Sequence, residues 1–243
     1  MPRIAVPIAD VWLDAQRSQL ARQFLSGDAV ELGQNTDGLV HASRLSDGYQ
    51  GWVAASNVGE VQEPTHWVRS FGTLAFPAPD IKTPAPTWLP FRAGVSGAFD
   101  GDFFRTAFGY VPGSHVSEDP VFAQDPISVA ERFLGVPYLW GGNTELGLDC
   151  SGLSQLAFGA CGIDLPADSG DQLAALTAID TPAAGDLAFW KGHVALLAED
   201  DTLIHANAHH MCVALEALDD ALDRIHRQGI DHLGFARVTP QGG

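Results

Sequence analysis

The chain has 243 residues, enough for one large or two to three small domains, and a hydrophobic content of 46% supplies material for real cores. Thirteen basic residues against 30 acidic ones give a formal net charge of −17, which repels nucleic acid and anionic membranes and sets aside a polyanion-binding role. No stretch approaches the length of a membrane span. Asp10 and Asp14 interrupt the N-terminal run before it could form a signal-peptide core. The three cysteines lack CxxC spacing and suit a reducing compartment, so a cytoplasmic protein is expected.

From Ile4 to Gly59 the pattern is one of short β segments, Ala29 to Leu32, Leu39 to Ala42 and Trp52 to Ala54, punctuated by Gly27-Asp28, Asp37-Gly38 and Asp47-Gly48. Strands at such close spacing predict a small barrel. A second such region runs from Glu60 to Glu118 and repeats part of the first. Gly51-Trp52-Val53 with Ser56 and Val58 recurs as Gly109-Tyr110-Val111 with Ser114 and Val116, at an offset of 58 residues. Two copies of one β module are therefore expected, over residues 1–60 and 61–120. Pro64, Pro77, Pro79, Pro84, Pro86 and Pro90 stiffen the edges of the second, and Glu118-Asp119-Pro120 marks the entry to a third domain, residues 121–243.

Asp125-Pro126-Ile127 opens a helix in that domain: Asp125 can cap, Pro126 suits the first helical position, and Gly135 ends it. A glycine-rich turn, Trp140-Gly141-Gly142, then leads to Asp149-Cys150-Ser151-Gly152. Leu153, Leu156, Ala157, Ala160 and Cys161 recur at helical spacing, with Gly162 as the stop. Cys150 thus stands at a helix start, where unpaired N–H groups and the positive end of the helix dipole favour a thiolate. Leu165-Pro166-Ala167-Asp168-Ser169 reads as a loop before a further helix over Asp171 to Leu176, capped by Ser169 or Asp168. The apolar runs Leu187 to Trp190, Val194 to Ala198 and Leu203 to Ala206 read as neighbouring buried strands. His193 and His205 each stand in one of them, where a polar ring needs a purpose. His209 and His210 read as solvated side chains. A nucleophile needs a base and a base needs an orienter, and Cys150, His193 and His205 can supply the three.

The ordered set Tyr138, Trp140-Gly141-Gly142, Asp149-Cys150-Ser151-Gly152, Gly185-Asp186-Leu187, Gly192-His193-Val194 and Ile204-His205-Ala206 resembles the NlpC/P60 family of cysteine peptidases. The resemblance runs from Asp125 to the C-terminus. It implies an α+β, papain-like catalytic domain with Cys150 as nucleophile, His193 as base and His205 as the residue that orients it. The two β modules look like bacterial SH3-type barrels, and the combination resembles the γ-D-glutamyl-L-diamino acid endopeptidases that recycle cell-wall peptides. The substrate so implied is a murein peptide, L-Ala-γ-D-Glu-diamino acid, with diaminopimelate or lysine as the third residue. No cofactor and no metal is implied. The same resemblance implies a pocket lined by Tyr138, Asp149, Ser151 and Ser169. Helix capping explains Asp149 and Ser169 as well as substrate contact does, and for Asp149 both roles can hold at once. From the first module, Tyr49 is the residue expected to reach the substrate, against the alternative that it packs at a strand edge.

Three other readings stand beside this one. A metal site could form from Cys150, His193, His205, His209 and His210, although these lack paired short spacings. A non-catalytic peptidoglycan-binding protein would be expected to have lost the nucleophile or the base, and both are present. An amidase or acyltransferase could use the same acyl-enzyme with a different acceptor. Oligomeric state is not written in the motifs.

Overall fold

The computed structural model describes residues 1–199 and 201–239, so residue 200 and residues 240–243 of the third expected domain lie outside the described residues. The chain forms two compact units, Met1–Phe122 and Ala123–Gly243.

The first unit is built from strands. Its N-terminal half holds a five-stranded antiparallel sheet in the order Leu20–Leu25, Ile8–Trp12, Gln50–Ala54, Leu39–Arg44, Val30–Thr36. Asp10, which breaks the N-terminal apolar run in sequence, is exposed in the middle of Ile8–Trp12 while Ala9 and Val11 are fully buried. Strand periodicity accommodates the charge on the solvent side, so the segment forms a strand despite it. Asp37 and Gly38 both take positive φ, the backbone that a tight two-residue hairpin between right-twisted strands requires. Ile4, Ala9, Val11, Phe24, Val30, Val40, Ala42 and Val53 fill the core, and Tyr49 packs against it with its ring edge-on to Phe24. Residues Val68, Ala75, Leu89, Ala93, Val95, Phe104, Val111 and Val116 form a second core in the C-terminal half. The repeated segments have the same local structure. Gln50–Ala54 is followed by a 3-10 turn at Ala55–Asn57 and a short strand Val58–Gly59, and Gly109–Pro112 by Gly113–His115 and Val116–Ser117.

The second unit mixes helices and strands. Its helices are α1 (Pro126–Glu131), α2 (Cys150–Ala160), α3 (Ser169–Ala175) and α4 (Leu218–His226). Its main sheet is formed by β1 (Thr177–Ile179), β2 (Leu187–Trp190), β3 (His193–Leu197), β4 (Thr202–Asn207), β5 (Cys212–Ala217) and β6 (His232–Arg237), in the order β1-β6-β2-β3-β4-β5. Strands β2, β3 and β4 are buried almost throughout because both faces are covered. Ala188, Trp190, Ala195, Leu197 and Leu203 pack with Ala221 and Ile225 of α4, while α2 packs against β3 and β4 and contributes the buried Leu153, Leu156, Ala157 and Phe158.

The expected helix start at Asp125 is present, its carboxylate accepting from the Ile127 and Ser128 amides at 3.0 Å each, but α1 ends at Glu131 and turns reach Gly135. Helix α3 begins two residues before the expected position, at Ser169, with Asp168 in the cap position. Gln172 explains the shift. It is fully buried, donates to the carbonyl of Pro166 at 2.9 Å and accepts from Ser154 Oγ of α2 at 2.9 Å. A buried amide tied to the adjoining helix fixes where the first turn must lie.

Candidate active site

Helix α2 starts where it does because Asp149 caps it. The Asp149 carboxylate accepts from the Gly152 amide at 2.7 Å and from Ser151 Oγ at 3.1 Å, and its second oxygen takes the Gly141 amide at 2.9 Å. One side chain therefore ties the glycine-rich turn to the helix mouth. Close approach explains the glycines on either side. A Cβ on Gly142 would lie 2.5 Å from the Gly147 carbonyl oxygen, and one on Gly152 would lie 2.5 Å from the Gly142 carbonyl oxygen. Cys150 is the first residue of α2 and is buried, 8% exposed, and it is a free thiol. Half-buried Tyr138 stands beside it. Burial first, and then the charges of Cys150 and Asp149, push the Tyr138 phenol well above its usual value, so that it stays protonated and able to donate.

The two histidines come together on the sheet. His193 is the first residue of β3 and His205 the fourth of β4, and His193 Nε2 lies 2.9 Å from His205 Nδ1. His205 is completely buried. Its Nε2 lies 3.0 Å from Glu216 of β5, and that carboxylate receives a two-pronged bond from Arg224 of α4, Nε and Nη2 each at 2.7 Å. Register makes this possible: Leu203 of β4 faces Glu216 of β5, so His205, two residues on, shares a face with Glu216 and sits diagonal to it. Burial, followed by the neighbouring His205 and Arg224, pulls His193 down to about 3, and burial pulls His205 down to about 4. Both rings are neutral near neutral pH, which is the state that can accept a proton.

Tyr138 and His193 line one cleft of about 530 Å³, together with Trp140, Trp190, Lys191 and Arg224 among others. The structure thus brings Tyr138, Asp149, Cys150 and Ser151 together at the helix mouth, and His193 with His205 on the sheet. Ser169 is half-buried at the start of α3, whose Gln172 also donates to the Ser151 carbonyl at 3.3 Å. Tyr49 lies in the first unit, its hydroxyl 3.4 Å from the Ala21 carbonyl. His209 and His210 are exposed.

Glu216 and Arg224 are absent from the sequence reading. Their signal is the β4–β5 register and the fold of α4 back over the sheet, neither of which the local pattern encodes. As for metal, His205, His210 and Glu216 place donor atoms within 4.8 Å of one another, a grouping that omits Cys150 and His193. The Arg224 guanidinium already occupies the Glu216 carboxylate, and its fixed positive charge opposes a cation there.

Residues 135–222 match the model of the NlpC/P60 family. A gamma-D-glutamyl-L-lysine dipeptidyl-peptidase of Bacillus subtilis is 33% identical over 183 residues, covering 65% of this chain and 60% of that protein. A protein of the same name from Bacillus cereus is 38% identical over 94 residues, 35% of this chain and 28% of that one. The chain therefore spans less than two thirds of the length of these relatives. In fold, the crystal structure of an NlpC/P60 family protein from Bacillus cereus matches over 99% of this chain and 100% of that one, with a TM-score of 0.84 at 21% identity. A cysteine at a capped helix mouth, paired imidazoles on adjacent strands and the matched residues agree: this chain carries a domain of the NlpC/P60 family.

Proposed function

We propose that the protein is a cysteine peptidase that cleaves the γ-D-glutamyl bond to the diamino acid in murein peptides, with Cys150 as nucleophile, His193 as base and His205 as its orienter. The observation that carries this reading is the coupling of His193 Nε2 to the buried His205 in the same unit that sets a thiol at a capped helix mouth. His193 takes the thiol proton, and the sulfur attacks the γ-carbonyl carbon of D-glutamate. In this reading amides at the start of α2 and the Tyr138 hydroxyl, which stays protonated, donate to the oxyanion. His193 then returns the proton to the departing amine, and water releases the acyl-enzyme.

Asp149, Ser151 and Ser169 complete the substrate contacts in this reading, while Tyr49 packs against the core of the first unit. Asp149 combines its cap with a counter-charge for the ammonium group of L-Ala. The two cores of the first unit, each carrying a copy of the strand, 3-10 turn and strand succession, support a pair of SH3-type modules over residues 1–60 and 61–120, with the peptidase domain over 121–243. Short peptides of cell-wall recycling are the proposed substrates, and three free cysteines fit the reducing cytoplasm that such a role requires.

The test is hydrolysis of L-Ala-γ-D-Glu-diaminopimelate followed by product analysis. Wild type should release L-Ala-γ-D-Glu and free diaminopimelate. Cys150→Ala should lose at least about 10³-fold in rate without unfolding. Retained turnover would sink the mechanism, and transfer of the acyl group to an added amine in preference to water would turn the reading to an acyltransferase.

A further inference from the structure

A histidine as orienter carries an ambiguity that a carboxylate does not. A neutral imidazole accepts at Nδ1 only when its proton sits on Nε2. If His205 carried its proton on Nδ1, it would donate to His193 Nε2. Neutral His193 would then hold its own proton on Nδ1 and face the thiol with a donor, unable to take a proton from it. Something outside the pair must choose between the two arrangements.

We infer that Glu216, clamped by Arg224, is a positioning residue that fixes the His205 proton on Nε2 and so presents His193 to Cys150 with Nδ1 bare. The inference rests on the reading of Cys150 as nucleophile and His193 as base. Glu216 lies 3.0 Å from His205 Nε2, and a carboxylate can only accept, so His205 must donate there. Nδ1 of His205 is then an acceptor, 2.9 Å from His193 Nε2, which must donate in turn. The remaining lone pair of His193 is on Nδ1. Arg224 holds the carboxylate ionised: although burial alone would raise it, the guanidinium fork at 2.7 Å and 2.7 Å keeps Glu216 below its ordinary value. When the thiol proton moves to His193 Nδ1, an imidazolium and a thiolate form. The Nε2 proton stays in its bond to His205, and no further proton moves. One direction of donation thus runs from His193 through His205 to Glu216.

Two measurements test this. In Cys150→Ala protein with ¹⁵N-labelled histidine, ring nitrogen shifts should show both His193 and His205 protonated on Nε2 and bare on Nδ1. A His205 proton on Nδ1 would overturn the inference, and this readout needs neither activity nor a change at Glu216. In the otherwise native enzyme, Glu216→Gln offers Arg224 an N–H where it needs an acceptor. It should lower kcat by roughly 10²-fold and leave KM within about threefold, with Glu216→Asp restoring part of the rate. Unchanged kcat in folded Glu216→Gln would also overturn it. Hydrolysis by Cys150→Ala itself would count against the nucleophile, and the nitrogen shifts would still decide the tautomers.

Discussion

Each unit holds an arginine–carboxylate pair, buried at Arg44 and half-buried at Arg224, and the two pairs end differently. In the first unit Arg44 is 5% exposed, bonds both oxygens of Asp47 and one of Asp28, and lies over the Phe24 ring at 4.9 Å. Asp28 in turn takes the Leu25 amide at 3.0 Å. The charges are compensated within one five-stranded sheet, which locks a turn to a strand. In the second unit Arg224 makes the same fork on Glu216, but Glu216 passes the interaction to His205 and then to His193, which opens on the cleft. The same ion-pair geometry closes on itself in the first unit, and in the second its chain of partners runs on to an imidazole at the cleft.

The sharpest way to break this comparison is Arg44→Met. Two carboxylates would lose their buried counter-charge, at a cost of about 3 kcal/mol or more. Hydrogen exchange should locate the loss in Ile8–Ala54, and unchanged protection there would show the pair to be ornamental.

Acidification should separate the units next. His205 ordinarily titrates at 6.5 and is pulled by burial to about 4, and His193 to about 3. The unfolded chain therefore binds protons, as pH falls below 6.5, that the folded chain refuses. Stability from keeping these rings neutral is complete above that value and is lost progressively as pH falls towards 4. The Arg44 guanidinium does not titrate in that window. Exchange protection of β3 to β5 should fall more than that of the sheet around Arg44 between pH ~7 and ~5, and equal losses would contradict the burial of the two rings.

The smallest effect is that of Asp149→Ala, which removes the α2 cap and the tie to Gly141 and should cost about 1 to 2 kcal/mol in urea unfolding. If its carboxylate also meets the substrate ammonium, KM should rise beyond what lost stability explains. An unmoved KM would leave it a cap alone.

Much of the site was legible because it depends on local rules. Asp149 before Cys150, the glycines around them and the run of Leu153, Leu156 and Ala157 specify a capped helix from neighbours in sequence, and β2 to β4 were readable as unbroken apolar runs. What escaped depends on partners far along the chain. Glu216 lies in a half-exposed strand and looks like a solvated charge until β5 is paired with β4. The strand Ile8–Trp12 was hidden because its central aspartate reads as an interruption until the alternation of buried and exposed residues is seen across it. Helix α3 starts two residues ahead of its sequence expectation because Gln172 bonds to another helix, which selects Asp168 over Ser169 as the cap position.

The diagonal arrangement of His205 and Glu216 has a consequence for how this chain can change over generations. Strands β4 and β5 are joined by four residues, 208–211, with Met211 in the left-handed region. Pairing the two strands one residue out of register would swing the carboxylate to the opposite side of the sheet, whatever amino acids are used. Changes in that connection that slip the register should therefore be purged, and Ala208 and His209, which line the cleft, tie its sequence as well as its length to the site.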